Sequence, residues 1–118
     1  MNIQALKTYL NCDNGFLLSL VQKFVEELND TTNKITLAWQ NQNLTSIKLN
    51  AHKLLSSVKV MQLKELTLSL EKIEAGAASK HISSELEEDI KQLDIQVKKV
   101  INDLQLTIEE LEANSPCI

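Results

Sequence analysis

The sequence pattern places one histidine, His52, on the exposed side of a predicted helix. Taking the apolar positions around it as the inward direction and turning about 100° per residue, His52 points about 140° away from the core. An exposed imidazole is mostly neutral near neutral pH and offers one unprotonated ring nitrogen as a nucleophile. A phosphoryl group is a suitable electrophile for that nitrogen. His52 is therefore a candidate phosphate acceptor.

Side chains that could assist this chemistry lie on the same side of the helix. Lys48 is one turn before His52, Ser56 is one turn after it, and Lys59 is two turns after it. The lysines could offset the charge of a phosphoryl group, and Ser56 is small enough to let a partner reach the ring. The segment offers no nearby Asp or Glu and no pocket, so we expect any catalytic groups to come from a partner.

The pattern alone also allows His52 to be an ordinary solvent-exposed residue without a role.

Apart from His52, the residues whose side chains could bind a metal or act as nucleophiles indicate no second site. His81 follows Lys80 in a predicted loop, and we expect it to be a plain surface histidine. Cys12 and Cys117 are far apart and belong to no Cys/His cluster, which favours two reduced thiols. We therefore predict no metal site and no cofactor.

Length and charge limit the classes of function. The chain has 118 residues, which suits one domain. It carries 12 basic and 16 acidic residues, a net charge of −4, without a basic block, and this disfavours broad binding to nucleic acid or anionic membranes. No apolar segment resembles an export signal or a membrane span. We therefore expect a cytoplasmic protein.

Apolar residues recur at helical spacing along most of the chain, and with only two glycines and one proline there are few helix breakers. The pattern predicts a short helix ending near Asn11 and a long helix from about Asn14 to Gln40, capped by Asp13 or Asn14. Three later helices follow, with a very tight turn between Met61 and Leu63, a flexible run at 75–79 and a capping box at 84–87. Their apolar stripes are Ile47, Ala51, Leu54, Val58 and Met61; Leu63, Leu66, Leu70, Ile73 and Ala77; and Leu86, Ile90, Leu93, Val97, Val100, Leu104, Ile108 and Leu111.

Helices of this kind joined by short loops bury their stripes together as a bundle. We predict an all-α fold, an antiparallel up-down four-helix bundle with a short N-terminal capping helix. Residues 1–113 would form this domain, and residues 114–118 would be a disordered C-terminal tail.

The segment around His52 resembles a known motif. Leu49-Asn50-Ala51-His52-Lys53-Leu54, followed by Ser56-Ser57 and Met61, resembles the histidine-containing phosphotransfer (HPt) domain, whose motif is commonly written A-H-x-L-K-G-S. The resemblance covers nearly the whole chain: 11–16 is similar to the turn before the family's first long helix, and 24–27 to that helix. Residues 63–66 and 70–74 are similar to the helix after the histidine.

The resemblance implies a role for His52. In the family this histidine accepts a phosphoryl group from a receiver-domain aspartate and passes it to another receiver, while the receiver supplies Mg²⁺ and the acidic pocket. The implied partners are a response regulator receiver domain and a hybrid histidine kinase. The protein itself would be a phosphocarrier, not an enzyme, and a monomer without a cofactor.

Two positions depart from the motif. Leu55 stands where the family has lysine, and Ser56 stands where it has glycine. A lysine there would favour the phosphorylated state, by about 0.5 to 1 kcal/mol at an exposed site, and Lys48, Lys53 and Lys59 could compensate for its loss. Leu49 and Leu55 would add apolar contacts to the surface that binds the partner.

Two other interpretations stay open. An HPt-like adaptor that binds a receiver or kinase without being phosphorylated would also account for Leu55 and Ser56. A plain structural bundle, dimerising through the long last helix, is the third possibility. Met1 and the natural-looking tail favour a free-standing protein over a domain of a larger kinase.

Overall fold

The computed structural model describes residues 3–10 and 13–114. They form α1 (Ile3–Leu10), α2 (Asn14–Gln40), α3 (Leu44–Val60), α4 (Lys64–Ala78) and α5 (Ser84–Asn114). Asn114, assigned above to the tail, is the last residue of α5. The rest of the expected tail, residues 115–118, lies outside the described residues, as do Asn11, Cys12 and Cys117.

The four long helices pack as a bundle. Helix α2 contacts α3 and α5, and α4 contacts the same two helices. Because the loops that join successive helices are short, neighbouring helices run antiparallel. The predicted four-helix bundle is confirmed, and α1 adds Leu6, 1% exposed, to its core.

The predicted stripes form the hydrophobic core. Each helix turns one face inward, and burial of aliphatic side chains on these faces is the main force that holds the bundle together. The largest fully buried side chains are Leu6, Leu17, Leu28, Ile35, Ile47, Leu54, Leu66, Leu70, Ile73, Leu86, Leu93 and Leu104.

Two three-residue turns fix how α2, α3 and α4 lie against one another. The backbone amide of Asn43 donates to the carbonyl oxygen of Ala38, and the backbone amide of Leu63 donates to the carbonyl oxygen of Val58. Gln42 and Gln62 precede these amides with φ of 55° and 59°, the left-handed conformation of a Schellman helix end. Asn43 then caps α3, its Oδ1 accepting from the amide of Ser46 at 3.1 Å. The tight turn predicted between Met61 and Leu63 is confirmed.

Helix ends differ from the prediction in two places. Helix α4 continues to Ala78, so most of the run at 75–79, predicted as a flexible connection, is part of the helix. Helix α5 is capped by Ser83, whose Oγ accepts from the amide of Leu86 at 3.0 Å, so the predicted capping box starting at Ser84 is wrong. Of the two N-cap residues predicted for α2, Asp13 is the one that caps the helix.

Candidate functional site

His52 lies in the middle of α3, and its side chain is 70% exposed. Ala51 and Leu54, on the inward side of the helix, are completely buried, and this packing fixes the direction in which His52 points. The prediction that His52 is exposed is therefore confirmed. A partner can approach the ring from solvent.

A carboxylate holds one edge of the ring. His52 Nδ1 lies 2.8 Å from Oε1 of Glu74, whose side chain is 25% exposed. An ionised carboxylate only accepts hydrogen bonds, so Nδ1 carries the proton and donates it to Glu74. In the neutral ring Nε2 is then the unprotonated nitrogen, and the contact leaves it free to act as a nucleophile.

Glu74 was missed by the sequence analysis, and the expectation that no Asp or Glu lies near His52 is wrong. The residue is 22 positions away, on α4. Antiparallel helices bring together residues at similar distances from their turn, and His52 and Glu74 lie on either side of the turn at Gln62. Glu74 also follows the buried Ile73 directly, at the edge of the inward face. The alignment of α3 and α4 across this turn was the signal from which Glu74 could have been predicted.

The other polar residues proposed for the site are on the surface. Lys48, Lys53, Ser56 and Lys59 are all exposed on α3. Within the described parts of the chain none of these lysines forms an ion pair. Their ammonium groups are therefore available to a phosphoryl group or to a partner.

The two apolar residues proposed for partner binding have different positions. Leu49 is 65% exposed, as a contact residue must be. Leu55 is only 7% exposed and belongs to the hydrophobic core, so the prediction that it adds an apolar contact to the partner-binding surface is wrong. Three residues beyond His52, its side chain is turned about 60° from the histidine, far enough for the core to cover it.

Among residues 3–10 and 13–114, no group of three or more His, Cys, Asp or Glu side chains could hold a metal ion. None of the helices in this part is long and apolar enough to cross a membrane. His81 is exposed, in the short connection between α4 and α5.

Comparison with known proteins gives the family. The model of the Hpt domain matches residues 19–114, which cover most of α2 and all of α3, α4 and α5. Neither the curated proteins nor the solved structures contain a significant match. Hpt domains are helical bundles that take part in phosphotransfer in two-component systems, in agreement with the fold and with the exposed histidine. The chain belongs to the Hpt domain family.

Proposed function

We propose that this chain is a phosphorelay intermediate, in which His52 accepts a phosphoryl group from a receiver-domain aspartate and passes it to another receiver. The observation that carries the proposal is the 2.8 Å contact between His52 Nδ1 and Glu74 Oε1. It leaves Nε2 unprotonated on a ring that is 70% exposed. This is the arrangement that an accessible nucleophile needs.

The chemical step is a phosphoryl exchange between two proteins. Nε2 attacks phosphorus in line, the N–P bond forms, and the bond between phosphorus and the aspartate oxygen breaks. The electron pair of that bond returns to the aspartate carboxylate, so no oxidant, reductant or water is consumed. Reversal of the same step on a second receiver regenerates neutral His52.

Glu74 supports the reaction in a second way. As Nε2 bonds to phosphorus, positive charge develops on the imidazole, whose Nδ1 proton points at the carboxylate. A fixed negative group at this position stabilises the charged ring as it forms. Lys48, Lys53 and Lys59 are placed to offset the charge of the phosphoryl oxygens.

The partner completes the active site. The receiver supplies Mg²⁺ and the acidic pocket, and a hybrid histidine kinase supplies the phosphoryl group at the start of the relay. Leu49, Lys53 and Ser56 contact the receiver around the ring. The chain acts in the cytoplasm as a monomeric phosphocarrier without a cofactor, and the catalytic groups other than His52 and its positioning residue Glu74 come from the partner.

The test uses two phosphodonors. The protein is incubated with phosphoramidate, a small donor, and with receiver domains of the same organism that carry an aspartyl phosphate. We expect alkali-stable, acid-labile phosphate from both, absent in His52→Gln and retained in the matched control His81→Gln. Labelling that survives in His52→Gln overturns the site.

The same experiment separates the carrier from the adaptor. An adaptor binds a receiver but takes up no phosphate from it. Receiver binding with no labelling of His52 by either donor would therefore replace the carrier function with the adaptor function.

A further inference from the structure

The groove between α3 and α4 continues from His52 and Glu74 toward the turn at Gln62. Lys59 follows His52 by seven residues, and Thr67 precedes Glu74 by seven. Because seven residues make almost two full helical turns, Lys59 and Thr67 lie on the same faces of their helices as His52 and Glu74. The distance from the ring along the helix axes is about 10.5 Å.

A wide pocket opens at this end of the groove, and we call it the lysine pocket. Its volume is about 630 Å³, and it is lined by Lys59, Gln62, Lys64, Thr67 and Leu68. The left-handed conformation of Gln62 reverses the chain, so that the end of α3 and the start of α4 each contribute one lysine. Leu68 is 63% exposed and supplies an apolar wall. The pocket therefore combines two cations with one apolar surface.

The charge of the lysine pocket is not balanced from within the described chain. None of its lining residues is acidic, and neither lysine forms an ion pair with a described residue. Lys64 stands between two grooves and lines both, whereas its acidic neighbour Glu65 lines only the groove between α4 and α5. The positive end of α4, whose N-cap Leu63 makes no side-chain cap hydrogen bond, begins at the same place. An anionic group is therefore the complement of this pocket.

A receiver that brings an aspartyl phosphate to His52 covers the lysine pocket. Protein interfaces of ordinary size bury about 800 Å² on each partner, which corresponds to a round patch about 16 Å in radius. A patch of that size centred on His52 includes the pocket. The whole chain carries a net charge of −4, so a local positive charge determines where an acidic part of the partner can approach.

We propose that the lysine pocket binds an aspartate or glutamate side chain of the partner receiver, with the carboxylate between Lys59 and Lys64. The proposal rests on the proposed phosphotransfer in naming a receiver as the partner. The methylene groups of the acidic side chain pack on Leu68. Lys64 is then a specificity-determining residue that helps to select the receiver and takes no part in the chemical step.

Other occupants fit the lysine pocket less well. A lysine or arginine of the partner meets two like charges. An apolar side chain covers Leu68 but removes water from the ammonium groups without supplying a counter-charge. A free phosphate ion finds only two exposed, flexible lysines and no enclosed cradle. A carboxylate on a docked protein needs no cradle, because the rest of the interface holds it in place.

The first experiment measures binding of receivers, whether or not they transfer phosphate. The methyl signals of Thr67 and Leu68 are followed by NMR while receiver domains of the same organism are added. For a receiver that binds, we expect these signals to shift and to saturate with the same Kd as signals around His52. Shifts around His52 without shifts at the pocket overturn the proposal, as does saturation of the pocket signals by inorganic phosphate alone.

Charge reversal at Lys64 tests for the carboxylate. Lys64→Glu should raise the Kd of that receiver about tenfold, and Lys64→Ala should raise it about twofold to fivefold. Glutamate suits the first turn of α4, so the variant should fold as well as the wild type.

The matched control is Lys72→Glu, at an exposed position of the same helix but rotated about 200° from Glu74. It makes the same change of net charge outside the groove and should leave Kd unchanged. Equal weakening by Lys64→Glu and Lys72→Glu would mean general electrostatic attraction and contradict the proposal.

A double-mutant cycle identifies the acid of the partner. Each Asp and Glu outside the receiver's own phosphorylation pocket is replaced in turn by Asn or Gln, and Kd is measured with the wild type and with Lys64→Ala. One replacement should weaken binding to the wild type by about twofold to fivefold and leave binding to Lys64→Ala unchanged. Losses that are the same with both proteins at every acid contradict the proposal.

Phosphotransfer kinetics separate this proposal from the carrier function. In Lys64→Glu the KM for the phosphorylated receiver should rise about tenfold with little change in kcat, whereas Lys72→Glu should keep the wild-type KM. Unchanged Kd and KM in Lys64→Glu overturn the lysine pocket alone. A receiver that binds without labelling His52 overturns the carrier function alone, because the Kd of the Lys64 variants still decides the pocket. Failure of every receiver of the organism to bind overturns both.

Discussion

The Nδ1 atom of His52 on α3 and the Oε1 atom of Glu74 on α4 are 2.8 Å apart, so the candidate phosphate acceptor depends on residues from two helices. The hydrogen bond sets the tautomer of the ring, and the buried neighbours of His52 set its direction. Both features stabilise one reactive geometry before any partner arrives.

Glu74 is expected to control the reactivity of His52 as a positioning residue. Glu74→Ala should lower the rate of phosphoramidate labelling by about tenfold, the lower end of what such supporting contacts contribute. Glu74→Gln should retain an intermediate rate, since its amide oxygen still accepts from Nδ1 but carries no charge.

Imidazole ¹⁵N shifts give a readout that a merely structural role would not change. The neutral ring should carry its proton on Nδ1 in the wild type and lose this preference in Glu74→Ala. Glu71→Ala, at an exposed position one turn earlier on α4, is the control. Identical ¹⁵N shifts in wild type and Glu74→Ala would contradict the assignment.

Leu55 and Leu49 should affect different properties of the protein. Leu55→Ala empties a core position and should lower the free energy of unfolding by about 2 to 4 kcal/mol, with phosphoramidate labelling of the folded protein retained. Leu49→Ala should change stability by less than about 0.5 kcal/mol but weaken phosphotransfer from a receiver. Urea denaturation and labelling assays measure the two effects, and a stable Leu55→Ala protein would show that the side chain is not part of the core.

The exposed lysines should stabilise phosphorylated His52. Lys48→Ala and Lys59→Ala should each shorten the lifetime of the phosphohistidine by about twofold to fivefold, corresponding to about 0.5 to 1 kcal/mol for an exposed charge. The effect should shrink as salt is added. Lys99→Ala on α5, a helix that packs against α2 and α4, is the control, and an equal effect there would rule out a local role.

The turn at Gln62 should be improved by glycine. Gln62 has φ of 59°, a conformation that costs a residue with a Cβ atom roughly 1 kcal/mol relative to glycine. Gln62→Gly should therefore raise the free energy of unfolding by about 0.5 to 1 kcal/mol, whereas Gln62→Ala should not. Thermal or urea unfolding checks the difference, and a less stable glycine variant would mean that the Gln62 side chain contributes contacts of its own.

Helix packing places a limit on changes near the site. Gly76 lies two residues after Glu74, and a Cβ atom there would be 3.2 Å from Cδ1 of the buried Leu86 on α5. Gly76→Val should lower the free energy of unfolding by about 1 to 3 kcal/mol through overpacking. Gly76→Ala should change it less, because its better helix propensity offsets the crowding. Denaturation curves that order the two variants the other way would contradict this explanation.

The sequence by itself determined the helices and the exposure of His52. Spacing of apolar residues is a property of a single helix, and a rotation of about 100° per residue is enough to tell inward positions from outward ones. For that reason the bounds of α2 and the inward stripe around His52 agree with the structure.

Only the tertiary structure decided what surrounds His52. Glu74 reaches the ring because the turn at Gln62 sets the register of α3 against α4, and Leu55 is buried because the core extends to its side of α3. Contacts between helices depend on register and packing, and the periodicity of a single helix gives no information on either. The exposed histidine could therefore be predicted from the sequence, but the residues that surround it could not.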